Sequence, residues 1–255
     1  MYEISDLRVS YGGRTVLDLE QLTIAPGRFT VILGQNGSGK STLMKILARQ
    51  QSAGSGRVLL KGRPIGEYSQ AEFARTVAYL PQNLPEAPGL DTKALCRLGR
   101  YPWRGAFARW RPEDDRIVAD CLKAMNVEHY AGELVDHLSG GERQRGWIAM
   151  ALAQKADCVL LDEPVSALDV AHQIEVVEHL SRQNKETGIG VVAILHDINL
   201  AARYADEIVT LKQGRLAFKG ASEDLLDSAR LRELFGHPFS IARHPRDDRL
   251  VALSD

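Results

Sequence analysis

Three short runs of apolar residues stand out along the chain: FTVILG (29–34), CVLLDE (158–163) and GVVAILHD (190–197). Each run is continuous rather than alternating and contains β-branched residues, which is typical of strands buried on both faces of a parallel sheet. Helical patterns follow the first run, in STLMKILARQ (41–50), and precede the third, in VAHQIEVVEHLSRQNKE (170–186). Strands and helices that alternate in this way predict an α/β layered fold.

The two ends of the chain carry other patterns. Residues 2–27 alternate between apolar and polar positions around a Gly-Gly turn, which is typical of antiparallel strands. The tail from Gly214 predicts a short strand pair, one helix over 222–236 and a final strand near RLVAL (249–253). We therefore expect an N-terminal antiparallel β subdomain and a small mixed C-terminal segment.

A helical segment interrupts the α/β pattern. Between about residues 83 and 155 the β-branched runs disappear, and helical periodicity follows an entry rich in proline. We interpret this segment as a helical subdomain inserted into the α/β core. The sequence then predicts a single domain, 1–255, in which about 1–82 and 156–255 form a core around a mixed sheet.

Composition narrows the classes of protein. The 255 residues are 44% hydrophobic, enough for a large core, and the net charge of −1 gives no sign of a nucleic-acid partner. Cys96, Cys121 and Cys158 are scattered without a CxxC pair, so buried or surface thiols are expected rather than a metal site or a disulfide. The N-terminus lacks a signal-peptide pattern, and no apolar stretch approaches the roughly 18 residues that span a bilayer. We expect a soluble, cytoplasmic-type chain whose membrane role would depend on a partner.

A glycine-rich loop follows the first apolar run. Residues 34–41, GQNGSGKS, satisfy the pattern G-x-x-x-x-G-K-[ST] between a predicted strand and a predicted helix. Backbone N–H groups of such a loop and the helix N-terminus bind phosphate, Lys40 reaches the β- and γ-phosphates, and the Ser41 hydroxyl binds Mg²⁺. A glycine-rich turn before a core helix is the alternative, which the complete match disfavours. The predicted nucleotide contacts are Gly34, Asn36, Gly37, Ser38, Gly39, Lys40, Ser41 and Thr42.

Polar residues after two other apolar runs complete a candidate catalytic set. Asp162 and Glu163 follow CVLL, and His196 follows VVAIL. A carboxylate that directly follows a buried strand beside a phosphate-binding loop is the expected Mg²⁺ ligand, and we assign this role to Asp162. Glu163 is a second acid, predicted to polarise the attacking water as a general base. His196 is predicted to contact the γ-phosphate, although a lone histidine at a strand end is more often structural.

A second candidate anion site lies in LSGGERQRGWIAM (138–150). Ser139, Gly140 and Gly141 precede a helical pattern, so a hydroxyl, glycine N–H groups and a helix N-terminus come together. An ordinary helix cap is the alternative, because serine is a good capping residue and Glu142 stands at the capping-box spacing. Taken alone, this segment favours the helix cap.

The motifs GQNGSGKST, LSGGERQR, VLLDEPVSALD and ILHD, in this order, resemble those of the ATP-binding-cassette (ABC) ATPases over essentially the whole chain. The resemblance implies a head-to-tail homodimer in which the first loop of one chain and the LSGGE segment of the other enclose one ATP, with Mg²⁺. Ser139, Gly140 and Gly141 would then contact the nucleotide held by the opposite subunit. Asp169 of SALD would line the same interface. Two phosphate-binding segments per chain thus serve two different ATP molecules.

Two further residues take roles from the resemblance. Tyr11 stands where the family places an aromatic side chain that stacks on adenine, and a half-buried strand tyrosine is the alternative. Gln82 of YLPQNLP stands at the Q-loop position, where the family's glutamine senses Mg²⁺ and water and connects to the transmembrane partner. Val165 stands where threonine is more usual, and since that side chain has no assigned chemistry, the predicted catalysis is unaffected.

Within the family, YLPQNLP, LGRYPWRGAFARW and SALDVAHQIEVVEHL resemble the importer ATPases for iron–siderophores, haem and cobalamin. GRYPW with GGERQRGWIAM resembles most closely the ferric hydroxamate type. The resemblance implies a homodimer on the cytoplasmic face of the bacterial inner membrane, bound to a permease that a periplasmic or extracellular substrate-binding protein serves. A haem or cobalamin importer and a non-transport ABC-type ATPase are the alternatives. We expect the permease to dock beside Gln82 and residues 100–110, which are rich in arginine and aromatic side chains.

Overall fold

The computed structural model describes residues 1–104 and 109–254. In chain order the strands are β1 (Tyr2–Tyr11), β2 (Arg14–Ile24), β3 (Phe29–Leu33), β4 (Ser55–Leu60), β5 (Arg63–Pro64), β6 (Val77–Leu80), β7 (Cys158–Leu161), β8 (Gly190–Ile194), β9 (Glu207–Lys212), β10 (Arg215–Ala221), β11 (Phe239–Arg243) and β12 (Leu250–Ser254). The α-helices are α1 (Lys40–Leu47), α2 (Gln70–Thr76), α3 (Thr92–Leu98), α4 (Tyr101–Arg104), α5 (Pro112–Ala124), α6 (Gly140–Ala153), α7 (Val170–Thr187), α8 (Ile198–Tyr204), α9 (Ser222–Leu225) and α10 (Ser228–Phe235). Among these described residues, no helix has both the length and the apolar character that crossing a bilayer requires.

The chain forms two compact units. The first comprises Met1–Gly66 and Val192–Asp255, and the second comprises Glu67–Val191. The second boundary falls within β8. The helical subdomain predicted for 83–155 lies inside the second unit, and its boundaries remain a prediction.

One sheet of the first unit confirms the antiparallel strands predicted near the N-terminus. Its order is β2-β1-β4-β5, and β1 pairs with β2 along nearly its whole length. Burial alternates along β1 but changes phase at Asp6, whose φ of 51° lies in the left-handed region. This local irregularity, which also shifts the register against β4, keeps Leu7 and Val9 facing the core.

A second sheet of the first unit carries the strand that leads into the glycine-rich loop, and β11 and β12 form a separate antiparallel pair. The strands of this second sheet lie in the order β10-β9-β3-β8. β3 runs parallel to β9, and β9 runs antiparallel to β10. All five residues of β3 are buried, as expected for a strand covered on both faces. The mixture of parallel and antiparallel pairs confirms the predicted α/β fold with a mixed sheet.

The second unit combines a parallel strand pair with packed helices. β6 pairs in parallel with β7, from Val77↔Cys158 to Leu80↔Leu161. Helices α3, α5 and α6 lie within the segment predicted to be helical and pack on one another. Their buried apolar side chains include Leu95, Val118, Leu122, Ile148 and Leu152.

The single helix predicted for 222–236 is wrong. The structure has two helices here, α9 and α10, separated by Leu226 and Asp227. Asp227 is extended, with φ −128°, and its carboxylate accepts a hydrogen bond from the Arg230 N–H at the start of α10. An aspartate that caps a new helix competes with continuation of the preceding one, and hydrophobic periodicity does not reveal this.

The three cysteines are free and buried. Burial raises the pKa of each thiol, to about 11 for Cys121 and to about 12 for Cys158. Thiols of this kind are unreactive and pack as small apolar side chains.

Candidate functional site

Glycines determine the path of the loop between β3 and α1. Gly34 has φ 143°, and a Cβ there would lie 2.3 Å from the carbonyl oxygen of Leu211. Gly39 has φ 98°, and its Cβ would lie 2.6 Å from the Leu17 side chain. Gly37, with φ 77°, has open space where its Cβ would be. Only glycine combines these backbone angles with such close approach, so the loop's shape depends on its glycines.

The loop presents groups suited to an anion. Lys40 is 5% exposed, and its Nζ donates hydrogen bonds to two loop carbonyl oxygens at 2.8 and 2.9 Å. The Ser38 hydroxyl is buried and has no hydrogen-bond partner in the described structure. Leaving a buried hydroxyl unsatisfied is unfavourable, and a phosphate oxygen could satisfy it. Ser41 and Thr42 lie half-buried in the first turn of α1, whose N-terminus favours an anion.

A cleft of about 570 Å³ opens beside the loop, within the range of small-molecule sites. Its lining residues are Arg14, Thr15, Val16, Gln35, Asn36, Gly37, Ser38, Lys212 and Gln213. The basic residues Arg14 and Lys212 escaped the sequence analysis, because each lies on a strand remote from the motif. Tyr11 is 52% exposed at the end of β1 and is not among the lining residues. Adenine stacking by Tyr11 therefore stays a prediction.

Acidic residues follow β7 in the second unit. Asp162 is 3% exposed, and its N–H donates to the carbonyl oxygen of Leu80 at 3.0 Å. Burial and the nearby negative charge of Asp162 raise the pKa of Tyr79 to about 12. Glu163 adopts φ 51°, a left-handed conformation that is rare for this residue, and its Oε2 accepts a 2.7 Å hydrogen bond from Gln82 Nε2. The fold thus joins two of the predicted catalytic residues, which lie 81 positions apart.

His196 lies in the first unit, just beyond β8. The Leu195 N–H donates to the Ile32 carbonyl oxygen at 3.3 Å, so the ends of β8 and β3 lie at the same edge of the sheet. The Asp197 carboxylate accepts a hydrogen bond from the Leu200 N–H and caps α8. His196 is exposed between this strand end and this helix start. His196 thus lies at the sheet edge where β3 also ends, as the sequence predicted, because β8 is the neighbour of β3 in the sheet.

The segment Ser139–Gly141 forms a capping box at the start of α6. The Glu142 N–H donates to Ser139 Oγ at 3.4 Å, and the Ser139 N–H donates to Glu142 Oε2 at 2.8 Å. Hydrogen bonds from Tyr130 and Ser139 lower the pKa of Glu142. Ser139 and Gly140 remain exposed. The helix cap considered from the sequence is therefore real, while a contact with a second nucleotide stays a prediction.

Asp169 caps α7. Its Oδ1 accepts a hydrogen bond from the His172 N–H at 3.0 Å, and both carboxylate oxygens lie 2.9 Å from His172 Nδ1. These hydrogen bonds lower the pKa of Asp169. His172 was not predicted from the sequence, although its position three residues after a capping aspartate is a visible signal.

A glycine loop between β3 and α1 and an acidic pair after β7 define a P-loop α/β nucleotide-binding protein. The family model described as "ABC transporter" matches residues 17–166, more than half of the chain. The chain therefore belongs to the ABC transporter family and is an ATP-binding ATPase of that family.

Three curated relatives are similar along most of their length. The ferric enterobactin transport ATP-binding protein FepC of Escherichia coli (strain K12) is 40% identical over 90% of this chain and 85% of its own. The probable siderophore transport system ATP-binding protein YusV of Bacillus subtilis (strain 168) is 42% identical, over 94% and 87%. The iron(3+)-hydroxamate import ATP-binding protein FhuC of the same strain is 38% identical, over 97% and 92%.

Solved structures share the fold. A structure reported as an inward-facing metal-chelate type ABC transporter superposes with a TM-score of 0.83 at 26% identity, covering 99% of this chain and 97% of that chain. The dimeric post-hydrolysis state of an ATP-binding cassette bound to ADP and Pi superposes with a TM-score of 0.75 at 28% identity, covering 87% and 99%.

Proposed function

We propose that this chain is the ATP-hydrolysing subunit of an importer for an iron(III)–siderophore, with a hydroxamate as the favoured cargo. The observation that carries the proposal is the extent of similarity to three siderophore-transport proteins. Each alignment covers 90–97% of this chain, well beyond the 17–166 segment matched by the general ABC model. Similarity outside the ATPase motifs is what a shared transport partner would require.

The chain's own residues supply the proposed chemistry. Lys40, the loop N–H groups and the Ser38 hydroxyl bind the phosphates, and His196 contacts the γ-phosphate. We assign Mg²⁺ to the Ser41 hydroxyl, the Asp162 carboxylate and the Gln82 amide, because each offers the oxygen ligand that this cation prefers. Held by these three residues, the cation would supply positive charge that neutralises the phosphate oxygens.

Glu163 is the proposed general base. Its backbone adopts the left-handed region, a strained conformation of the kind that clusters at active sites. Gln82 holds the carboxylate through a 2.7 Å hydrogen bond. The carboxylate accepts a proton from the attacking water, which turns the water into a nucleophile.

Glu163→Gln tests this assignment. The amide cannot accept the proton, so we expect ATP binding to persist while hydrolysis falls by about 10²–10⁴-fold. The variant should also accumulate as an ATP-bound dimer in size-exclusion chromatography, and Glu178→Gln, an exposed position on α7, is the matched control. Hydrolysis near the unmodified rate would remove Glu163 from the base role.

The proposed assembly is a head-to-tail homodimer, like the dimeric cassette described above. Ser139, Gly140 and Gly141 contact the nucleotide of the opposite subunit, and Asp169 lines the interface. The homodimer sits on the cytoplasmic face of the membrane against a permease, which receives cargo from an external binding protein. The transport and import roles that the relatives' names give to those proteins support a permease as the partner.

The structure refines the proposed permease-docking segment. Arg100 is 7% exposed, ion-paired with Asp114 at 3.0 Å, and donates to a helix carbonyl oxygen, so it is a structural residue and not an interface anchor. Arg104 also pairs with Asp114, at 3.3 Å. Among the described residues of the segment, Tyr101 and Trp103 are the exposed aromatic ones, at 56% and 44%. Phe107, which the prediction included, lies outside the described residues.

Cargo is tested by transport. The chain is reconstituted with a candidate siderophore permease and its binding protein, and ATP-dependent uptake of labelled ferric hydroxamate, ferric catecholate, haem and cobalamin is compared. Uptake of a ferric siderophore supports the proposal, and preference for the hydroxamate supports its narrower form. Uptake of haem or cobalamin alone would replace the cargo while leaving the ATPase assignment intact.

A further inference from the structure

His172 connects two segments that the sequence treats as separate motifs. Its Nδ1 lies 2.9 Å from both carboxylate oxygens of Asp169, and its backbone N–H donates to the same carboxylate. The ring carbons Cδ2 and Cγ lie against Gly141 in the first turn of α6. A Cβ built on Gly141 would lie 3.2 Å from His172 Cδ2 and 3.4 Å from Cγ.

The contact between α6 and α7 continues one turn further on. Arg145 Nη1 lies 3.3 Å from Glu175 Oε2, and the Arg145 side chain is only 6% exposed. Gly141 is itself buried, whereas Asp169 remains 67% exposed at its side chain. The starts of α6 and α7 are therefore packed together, while the exposed Asp169 carboxylate is held by the His172 imidazole and by the backbone N–H of the same residue.

We propose that His172 is a positioning residue that sets the place of Asp169 relative to the Ser139–Gly141 turn. The inference rests on the proposed function, in which these two segments form part of the surface that receives the opposite subunit and its nucleotide. The rigid ring donates through Nδ1 to Asp169 and packs its carbons Cγ and Cδ2 against Gly141, so it links both segments with only two rotatable bonds. Loss of His172 leaves the phosphate loop of its own chain untouched and weakens the subunit interface.

Three substitutions separate the two contacts of the ring. His172→Asn keeps a donor at the position of Nδ1, because both atoms are the same number of bonds from Cα. His172→Leu keeps the bulk against Gly141 but loses the donor. His172→Ala loses both. His179→Ala is the matched control, because His179 lies seven residues further along the same face of α7.

Dimerisation is measured in the Glu163→Gln background by analytical ultracentrifugation with ATP. We expect His172→Ala to weaken the dimer about tenfold and His172→Leu nearly as much, because both variants lose the donor that orients Asp169. His172→Asn and the control should dimerise as the parent does. With Glu163 intact, the ATPase rate should fall in the alanine variant and return in the asparagine variant.

The outcomes separate the inference from its premise. If Glu163→Gln alone forms no ATP-dependent dimer, the proposed assembly fails. If that dimer forms and His172→Ala leaves it unchanged, the inference is wrong. The inference is also wrong if His172→Ala abolishes ATP binding by the isolated chain, because the residue is then needed for folding. It is wrong as well if His172→Leu dimerises as strongly as the parent, because the hydrogen bond to Asp169 then contributes nothing to the interface.

Discussion

Gly214→Ala is expected to destabilise the protein by about 2 kcal/mol more than Gly62→Ala, although both glycines occupy the same kind of hairpin turn. Gly214 has φ 80° after Gln213 at 51°, and Gly62 has φ 77° after Lys61 at 52°. Both turns belong to the first unit. A Cβ on Gly62 would meet nothing within 4 Å, whereas a Cβ on Gly214 would lie 2.4 Å from the Val16 carbonyl oxygen.

The magnitude follows from the contacts at each turn. An alanine in the left-handed region costs about 1 kcal/mol at either position. At Gly214 the overlapping atoms belong to the backbone, so the hairpin tip must withdraw. Withdrawal breaks the hydrogen bonds from the Gly214 N–H to the Ser38 carbonyl oxygen (3.1 Å) and from the Asp18 N–H to the Gly214 carbonyl oxygen (2.8 Å). Each is worth about 1 kcal/mol, which brings the total at Gly214 to roughly 3 kcal/mol.

Urea unfolding of the two variants measures the difference, and nucleotide titration measures its consequence. Because Ser38 belongs to the phosphate-binding loop, Gly214→Ala should also weaken nucleotide binding, whereas Gly62→Ala should leave it unchanged. Equal losses of stability in the two variants would show that the left-handed backbone alone sets the cost. Unchanged nucleotide affinity in Gly214→Ala would show that the hairpin does not hold the loop.

Two further predictions concern the surfaces of the second unit. Ser139→Arg should keep ATP binding by the isolated chain and stop hydrolysis, because the bulky cation blocks the site for the opposite subunit's nucleotide. Ser139→Ala is the control, because it loses the same helix cap, at a cost of about 1 kcal/mol in stability, without adding bulk. A loss of ATP binding in the arginine variant would contradict the assignment. Trp103→Ala should weaken permease binding by about thirtyfold, roughly 2 kcal/mol, and leave basal ATPase activity unchanged. Leu253→Ala, at another exposed apolar position, is the control, and unchanged co-purification of the permease with Trp103→Ala would place the docking surface elsewhere.

Features that depend on local chemistry were readable from the sequence. The phosphate-binding loop needs glycines for its backbone angles and a lysine and a serine at fixed spacing. Residues 34–41 alone are therefore sufficient to predict it. β3, β7 and β8 are continuous apolar runs because they are buried throughout, and burial of that kind is visible in composition alone. The capping box at Ser139 has a signature only four residues long.

Features that depend on distant residues were decided by the tertiary structure alone. No pattern along the chain links Gln82 to Glu163, or Gly214 to Ser38, because these hydrogen bonds join segments that only the sheet topology brings together. Arg100 looked like an exposed interface residue until its partner on α5 was known. Periodicity likewise predicted one helix where Asp227 starts a second. The sequence determined which chemical groups are present and the local shape of each segment, whereas their pairing required the fold, since a side chain's partner is fixed by packing in space and not by spacing along the chain.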